Sequence, residues 1–427
     1  MKLYKYPSKD ELEVILHRQE IESIDLDSLI AEVFDNVKKD GDDALRALTL
    51  KYDATLLSSL EVSKEEMIEA ETKVLSELKQ AINLAAVNIE KFHAIQKETV
   101  VEVETMEGVI CWRKSVGIEK VGLYIPGGTA PLFSTVLMLG IPAKIAGCKE
   151  VILCTPPDKN GEVNAAILYA ANLVGITKIF KVGGAQAIAA MTYGTESIQK
   201  VYKIFGPGNQ YVTAAKQYAQ RLNVSIDMPA GPSEVMVVCD EFANAEFVAA
   251  DLLSQAEHGI DSQVILVSMQ EAKIEEVQAQ ISIQLVNLSR GNIAKSALVN
   301  SIAILTNKES IPSIINIYAP EHLILNTSVN TEIIPSIVNA GSVFIGQYTP
   351  ESAGDYASGT NHTLPTNGFA KQYSGISVDS FVKKITFQKI SEIGIVNIGK
   401  TVQIMAEAEG LDAHKNAITV RLNALRK

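Results

Sequence analysis

Little in this chain suits an oxidising compartment. Its 427 residues include four cysteines, Cys111, Cys148, Cys154 and Cys239, and no C-x-x-C pair. Three of the four sit in or beside strand-like runs, which reads as reduced, mostly buried thiols. Basic residues are short as well: 38 Lys and Arg stand against 50 Asp and Glu, a net charge of -12. That deficit argues against nucleic acid, whose phosphates need a lysine and arginine footprint. No apolar stretch follows Met1-Lys2-Leu3-Tyr4-Lys5, so no secretory signal is expected. The longest run without charge, 121–143, is broken by Pro126, Pro131 and Pro142 with Gly127, Gly128 and Gly140. It reads as strand, turn and helix and not as a membrane span. These absences together predict a soluble cytoplasmic protein with neither a membrane nor a nucleic-acid partner.

What is present looks like an enzyme of two or three domains, with 47% hydrophobic and 21% charged residues. The first hundred residues read as helices, over about 8–17 and 25–39 and then from a capping box, Ser63 with Glu66, to Lys97. His17 and His93 fall on these helices and read as structural or solvent-facing. A hairpin is predicted from 100–106 and 109–113 around Glu107-Gly108. From Val121 short apolar strands alternate with helices: 121–125, 150–154, 178–182 and 201–205, then 234–239, 263–267, 302–305, 322–325 and 342–345. Such alternation means βαβ units and mainly parallel sheets, and the count suits two sheets better than one. The last fifty residues read as a helical arm interrupted by Gly394, Gly399 and Gly410.

Five features could carry chemistry, and each also has a plain structural reading. Gln255 and His258 lie three apart at the end of an apolar-periodic helix closed by Gly259, so both emerge on one face. They could bind a metal or a substrate, or merely finish the helix. Three strand-to-helix turns are glycine-rich: Tyr124 to Gly128, Val182 to Gln186 and Phe205 to Asn209. Amides at such turns favour phosphate oxygens, although none completes G-x-G-x-x-G and each alone could be a tight turn. Glu321-His322 opens a strand after a proline turn, where an imidazole suits proton transfer and a carboxylate can activate water; the alternative is a solvated turn. Ser352 to His362 forms a small-residue loop with Asp355 and His362. Finally, Glu409 and His414 flank Gly410, which otherwise is only helix punctuation.

Taken together the motifs resemble one family. L-Y-I-P-G-G at 123–128, G-G-A-Q-A-I-A-A at 183–190, G-P-G-N at 206–209 and M-P-A-G-P-S-E at 228–234 lead the series. L-L-S-Q-A-E-H-G at 252–259, A-P-E-H-L at 319–323, S-A-G-D-Y-A-S-G-T-N-H-T-L-P-T at 352–366 and A-E-G-L-D-A-H at 408–414 complete it. These blocks resemble histidinol dehydrogenase, in family order from about 120 to 415. The resemblance implies two doubly wound, incompletely Rossmann-like α/β domains with mainly parallel sheets and small helical terminal segments. The corresponding division is 1–20, 21–122 with 234–375, 123–233, and a C-terminal arm, 376–427, exchanged in a homodimer.

The resemblance further implies one zinc per subunit on Gln255, His258, Asp355 and His414, and Glu321 with His322 as the catalytic pair. Ser233, Glu409 and His322 would join the metal residues in contacting L-histidinol, while Tyr124, Gln186 and Asn209 would contact NAD. His362 carries no implied role beyond support. The implied reaction is oxidation of histidinol to histidine through histidinal, with two NAD and one water. Three rivals stand beside it at this point. A zinc hydrolase could use the same metal set, a metal-stabilised binding module would use no cofactor, and a cysteine-type aldehyde dehydrogenase would need an activated thiol.

Overall fold

A computed structural model describes residues 1–18, 26–127, 131–229 and 231–426. Six strands form one all-parallel sheet, in the order Lys2–Lys5, Ile302–Leu305, Gln263–Ser268, Glu234–Cys239, His322–Asn326, Ser342–Ile345. Five more form a second parallel sheet, Lys178–Lys181, Glu150–Thr155, Lys120–Tyr124, Lys203–Phe205, Ser225–Ile226. Apart from the added edge strand Lys2–Lys5, chain order runs outward from the middle in both. Each sheet therefore reverses direction at one point, between Glu234–Cys239 and His322–Asn326 or between Lys120–Tyr124 and Lys203–Phe205. The expected mainly parallel, doubly wound α/β class is what the structure has.

The central strands are mainly apolar and are buried on both faces, as parallel sheets require. One face of the five-stranded sheet packs Phe34, Leu45, Ile188 and Val212, and the other packs Ile82, Ile89, Leu137 and Ile167. The helices Leu26–Asp53 and Ser76–Ala94 thus lie on the five-stranded sheet.

Three local expectations are corrected. The N-terminal segment opens with a strand, Lys2–Lys5, which pairs with Ile302–Leu305 and is not helical. The expected long helix up to Lys97 is two, Lys64–Lys73 and Ser76–Ala94. The arm contains a nine-residue strand, Val382–Ile390, which joins the hairpin Glu102–Met106 and Val109–Gly117 in a third, antiparallel sheet. The Ser63–Glu66 capping box is formed, with Glu66 N–H donating to Ser63 Oγ at 3.1 Å and Ser63 N–H to the Glu66 carboxylate at 2.8 Å. The helix placed from Asp25 starts at Leu26, Asp25 itself lying outside the described residues. No helix among the described residues is long and apolar enough to cross a membrane.

Candidate active site

Glu321 and His322 reach their positions through a sharp entry. The helix Ile311–Tyr318 ends on Ala319 in the left-handed region (φ 54°), and Pro320 prevents its continuation. The strand His322–Asn326 then begins beside the first residues of Glu234–Cys239. Glu321 and His322 are 6% and 3% exposed, so their polar atoms must find partners within the protein. Both find the same one. Glu234 N–H donates to Glu321 Oε2 at 2.9 Å, and Glu234 C=O lies 3.1 Å from His322 Nδ1.

A carbonyl only accepts, so Nδ1 carries a hydrogen and Nε2 is the nitrogen left to face the site. Nε2 is buried without a hydrogen-bond partner and lies 3.5 Å from Asp355 Oδ1. That is the placement of a base aimed into a site. Burial pushes the Glu321 carboxyl up to about 8, against the pull of His322. Burial alone would lower His322, but the carboxylates of Glu321, Asp355 and Glu351 overcome it and raise the imidazole to about 10, so Nε2 is free to accept a proton only once a bound cation offsets those charges.

Asp355 was expected on a loop but sits in a short helix, Glu351–Tyr356. Its carbonyl oxygen lies 2.8 Å from His362 Nδ1, and His362 Nε2 is 3.0 Å from Thr135 Oγ1. His362 therefore supports Asp355 and ties it to the helix Phe133–Ala146. Burial lowers His362, which keeps it neutral. Gln255 closes the helix Ala245–Ala256 and is fully buried. With its amide nitrogen toward Glu351 it donates to both carboxylate oxygens (2.9 and 3.3 Å), and its oxygen accepts from Glu234 N–H at 3.2 Å. His258 follows two residues after the helix and interacts electrostatically with Asp355 and His322.

Glu351 was not singled out in the sequence. It is 1% exposed, accepts from Ser254 Oγ at 2.7 Å, and burial pushes it up to about 8. A glutamate in the first turn of a helix is ordinarily solvated, so no local signal marks it. Asp251, on the helix of Gln255, is raised to about 7 by burial. Glu321, Glu351, Asp355 and Asp251 thus crowd a region that they share with the imidazoles of His322, His258 and His362. Such a surplus of buried carboxylate suits a bound cation. Among the described residues no three His, Cys, Asp or Glu side chains converge as a metal site. One chain brings two such donors, His258 and Asp355, and the Gln255 amide.

Glu409 and His414 are not brought to this cluster. Both are exposed on the arm, where the helices Glu392–Ala408 and Asp412–Ala424 pack on each other, Gly399 meeting Leu422 and Ile418. Ser233, just before the strand Glu234–Cys239, lies beside the site by position.

The three glycine turns converge elsewhere, on a cavity of about 880 Å³ lined by Tyr124, Gly127, Gly184, Gln186 and Asn209. Gly128 lies outside the described residues. Tyr124 Oη accepts from Gly184 N–H at 3.0 Å, and burial pushes its phenol up to about 12. Asn209 Oδ1 caps the helix Gln210–Arg221 by accepting from Tyr211 and Val212 N–H at 3.1 and 3.2 Å. Gly206 adopts φ +131°, where an added Cβ would strike the Tyr124 carbonyl. The cavity opens at the carboxyl ends of the strands beside the sheet's reversal, the usual place for a nucleotide in an α/β fold. Its volume suits a cofactor.

Three of the cysteines are poor nucleophiles. Burial raises Cys148 to about 11 and Cys239 to about 12, and Cys154 further.

Comparison with known proteins matches residues 16–422 to the model of the histidinol dehydrogenase family. The chain is 59% identical over 428 residues to histidinol dehydrogenase from Bacteroides fragilis (strain YCH46), all of both chains being covered. It is 50% identical over 422 residues to histidinol dehydrogenase from Vibrio vulnificus (strain YJ016), covering 98% of this chain and 97% of that one. The crystal structure of histidinol dehydrogenase from Elizabethkingia anophelis superposes with a TM-score of 0.98 at 56% identity, over 100% of this chain and 99% of the other.

Proposed function

The chain belongs to the histidinol dehydrogenase family and is an oxidoreductase of histidine biosynthesis acting on histidinol; we propose that it oxidises L-histidinol fully to L-histidine through histidinal, using zinc and NAD. Gln255, His258 and Asp355 of one chain would hold the zinc, with His414 supplied by the partner in a homodimer. When bound, zinc supplies a Lewis-acidic charge that anchors the imidazole and amine of histidinol. Two NAD, taken in turn against Tyr124, Gln186 and Asn209, supply the hydride acceptor for the two oxidations.

The chain's own groups move the protons. His322 Nε2 takes the proton of the alcohol, its Nδ1–H being held by the Glu234 carbonyl. Glu321, its carboxylate fixed by Glu234 N–H, activates the water that adds to histidinal, and His322 serves again as base for the hydrate. Ser233 and Glu409, the latter from the partner, would contact the substrate. The observation that carries this reading is the double hold of the Glu234 backbone, N–H on Glu321 and carbonyl on His322, which leaves a buried Nε2 without a hydrogen bond beside Asp355.

The test is purified protein with histidinol and NAD, followed at 340 nm with histidine quantified. Two NADH per histidine are expected. Turnover without NAD would instead mean a hydrolase, and tight metal with no absorbance change a binding module.

A further inference from the structure

Arg18 has no part in the chemistry described so far, yet it reaches the catalytic pair from behind. It follows the helix Lys9–Ile15 and lies against the start of the strand Glu234–Cys239. Its guanidinium grips the Glu234 carboxylate as a fork, Nε to Oε1 at 2.5 Å and Nη2 to Oε2 at 2.8 Å. Nη2 also donates to the Tyr318 carbonyl at 2.8 Å, and the guanidinium stacks 3.9 Å over the Tyr318 ring. Glu234 Oε1 accepts a further hydrogen bond from Asn367 N–H at 3.0 Å.

These contacts bracket the reacting groups. Glu234 is the residue whose N–H holds Glu321 and whose carbonyl faces His322 Nδ1. Tyr318 ends the helix three residues before Glu321. One planar side chain thus fixes the strand that positions the pair and the turn that delivers it. A forked pair sets both the distance and the rotation of the carboxylate, which a lone lysine charge does not.

We propose that Arg18 is a positioning residue for Glu321 and His322, acting through Glu234. This rests on the reading of Glu321 and His322 as the reacting pair. Loss of the fork lets the backbone on both sides of the Glu234 Cα shift, so Glu321 loses its donor and the His322 Nδ1–H its acceptor, while the substrate-anchoring groups stay in place. Turnover should therefore suffer and substrate affinity should not.

Arg18→Met alone strands a buried carboxylate, so it does not separate lost positioning from lost folding. The decisive variant is Arg18→Met with Glu234→Met, which removes both charges. In the metal-loaded enzyme it should keep its melting temperature and metal content, with KM for histidinol within about twofold. Its kcat should fall on the order of 100-fold, the cost of a small misplacement of reacting groups. Arg18→Lys should recover part of that loss. Nitrogen-15 histidine spectra should show the His322 Nδ1–H losing its hydrogen bond in the double variant. Wild-type kcat in the double variant overturns the proposal, as does a parallel loss of kcat, KM and melting temperature, which would make the pair merely structural. Glu321→Gln and His322→Asn belong in the same assay. If they turn over normally, the pair is misassigned and this inference falls with it. If they are dead beside a fully active double variant, only this inference falls.

Discussion

Glu321 and Glu351 are carboxyls that water no longer reaches, and each is held near 8 by burial. In the unfolded chain both sit near 4.5, so the unfolded state releases its protons first as pH rises. The stability they confer is whole below about pH 4.5 and is lost as pH climbs through about 8. Chelator-treated protein should therefore melt at a lower temperature at about pH 9 than at about pH 6, and added zinc should restore it. Glu351→Gln should flatten that slope; equal melting temperatures at both pH values would refute the burial argument. The catalytic pair invites a separate test. Glu321→Gln should slow oxidation of histidinal more than of histidinol, because only the second half-reaction consumes water. His322→Asn should slow both, by roughly 100-fold or more. Equal damage to both halves by Glu321→Gln would remove its water-activating role. At this scale the sequence made Glu321, His322, Gln255, His258 and Asp355 visible because they lie in long motifs. Glu351 and Arg18 were invisible, since their burial is created by partners about a hundred and two hundred residues away.

Strand and helix show a similar division. The sheet strands were readable because each is a short, mainly apolar run, so that 234–239, 302–305 and 342–345 match residue for residue. Lys2–Lys5 and Val382–Ile390 were not readable. The first is a four-residue edge strand whose lysines alternate with half-buried Leu3 and Tyr4, and the second is exposed along nearly its whole length. Neither carries a buried-strand pattern, and both exist through pairing with distant segments. The turn Phe205 to Asn209 shows how strictly an element can depend on one residue. Gly206→Ala would put a Cβ against the Tyr124 carbonyl in a conformation that side chains rarely adopt. A loss of roughly 1–3 kcal/mol in stability is expected. NAD binding by titration should weaken while histidinol binding to the metal-loaded enzyme is spared. Unchanged NAD affinity would show that this turn does not shape the cofactor cavity.

On the scale of the molecule, the two sheets work from opposite ends. A cavity of cofactor size lies at the carboxyl ends of the five-stranded sheet, around Tyr124, whereas His322 and Glu234 open their strands at the amino ends of the six-stranded one. The arm completes neither site within its own chain. Ile393, Val396, Ile404, Met405, Leu411 and Val420 remain exposed on it, and no residue of Asp412–Ala424 is buried. Apolar surface on that scale is expected to be covered, and a second copy of the chain would cover it while bringing Glu409 and His414 to the partner's Gln255, His258 and Asp355. His258→Ala should then lose zinc and activity without unfolding, and His414→Ala should do the same through the other subunit. Mixed and allowed to exchange, the two dead proteins form heterodimers in which one site carries both lesions and the other carries none. Random reassociation makes roughly half of the dimers mixed, each with one working site of two, so about a quarter of wild-type activity should return. Recovered activity should track the heterodimer fraction seen by native mass spectrometry, and zinc should return with it. Proven exchange with no recovery would mean that each chain completes its own site, and the arm would have to fold back onto the chain that carries it.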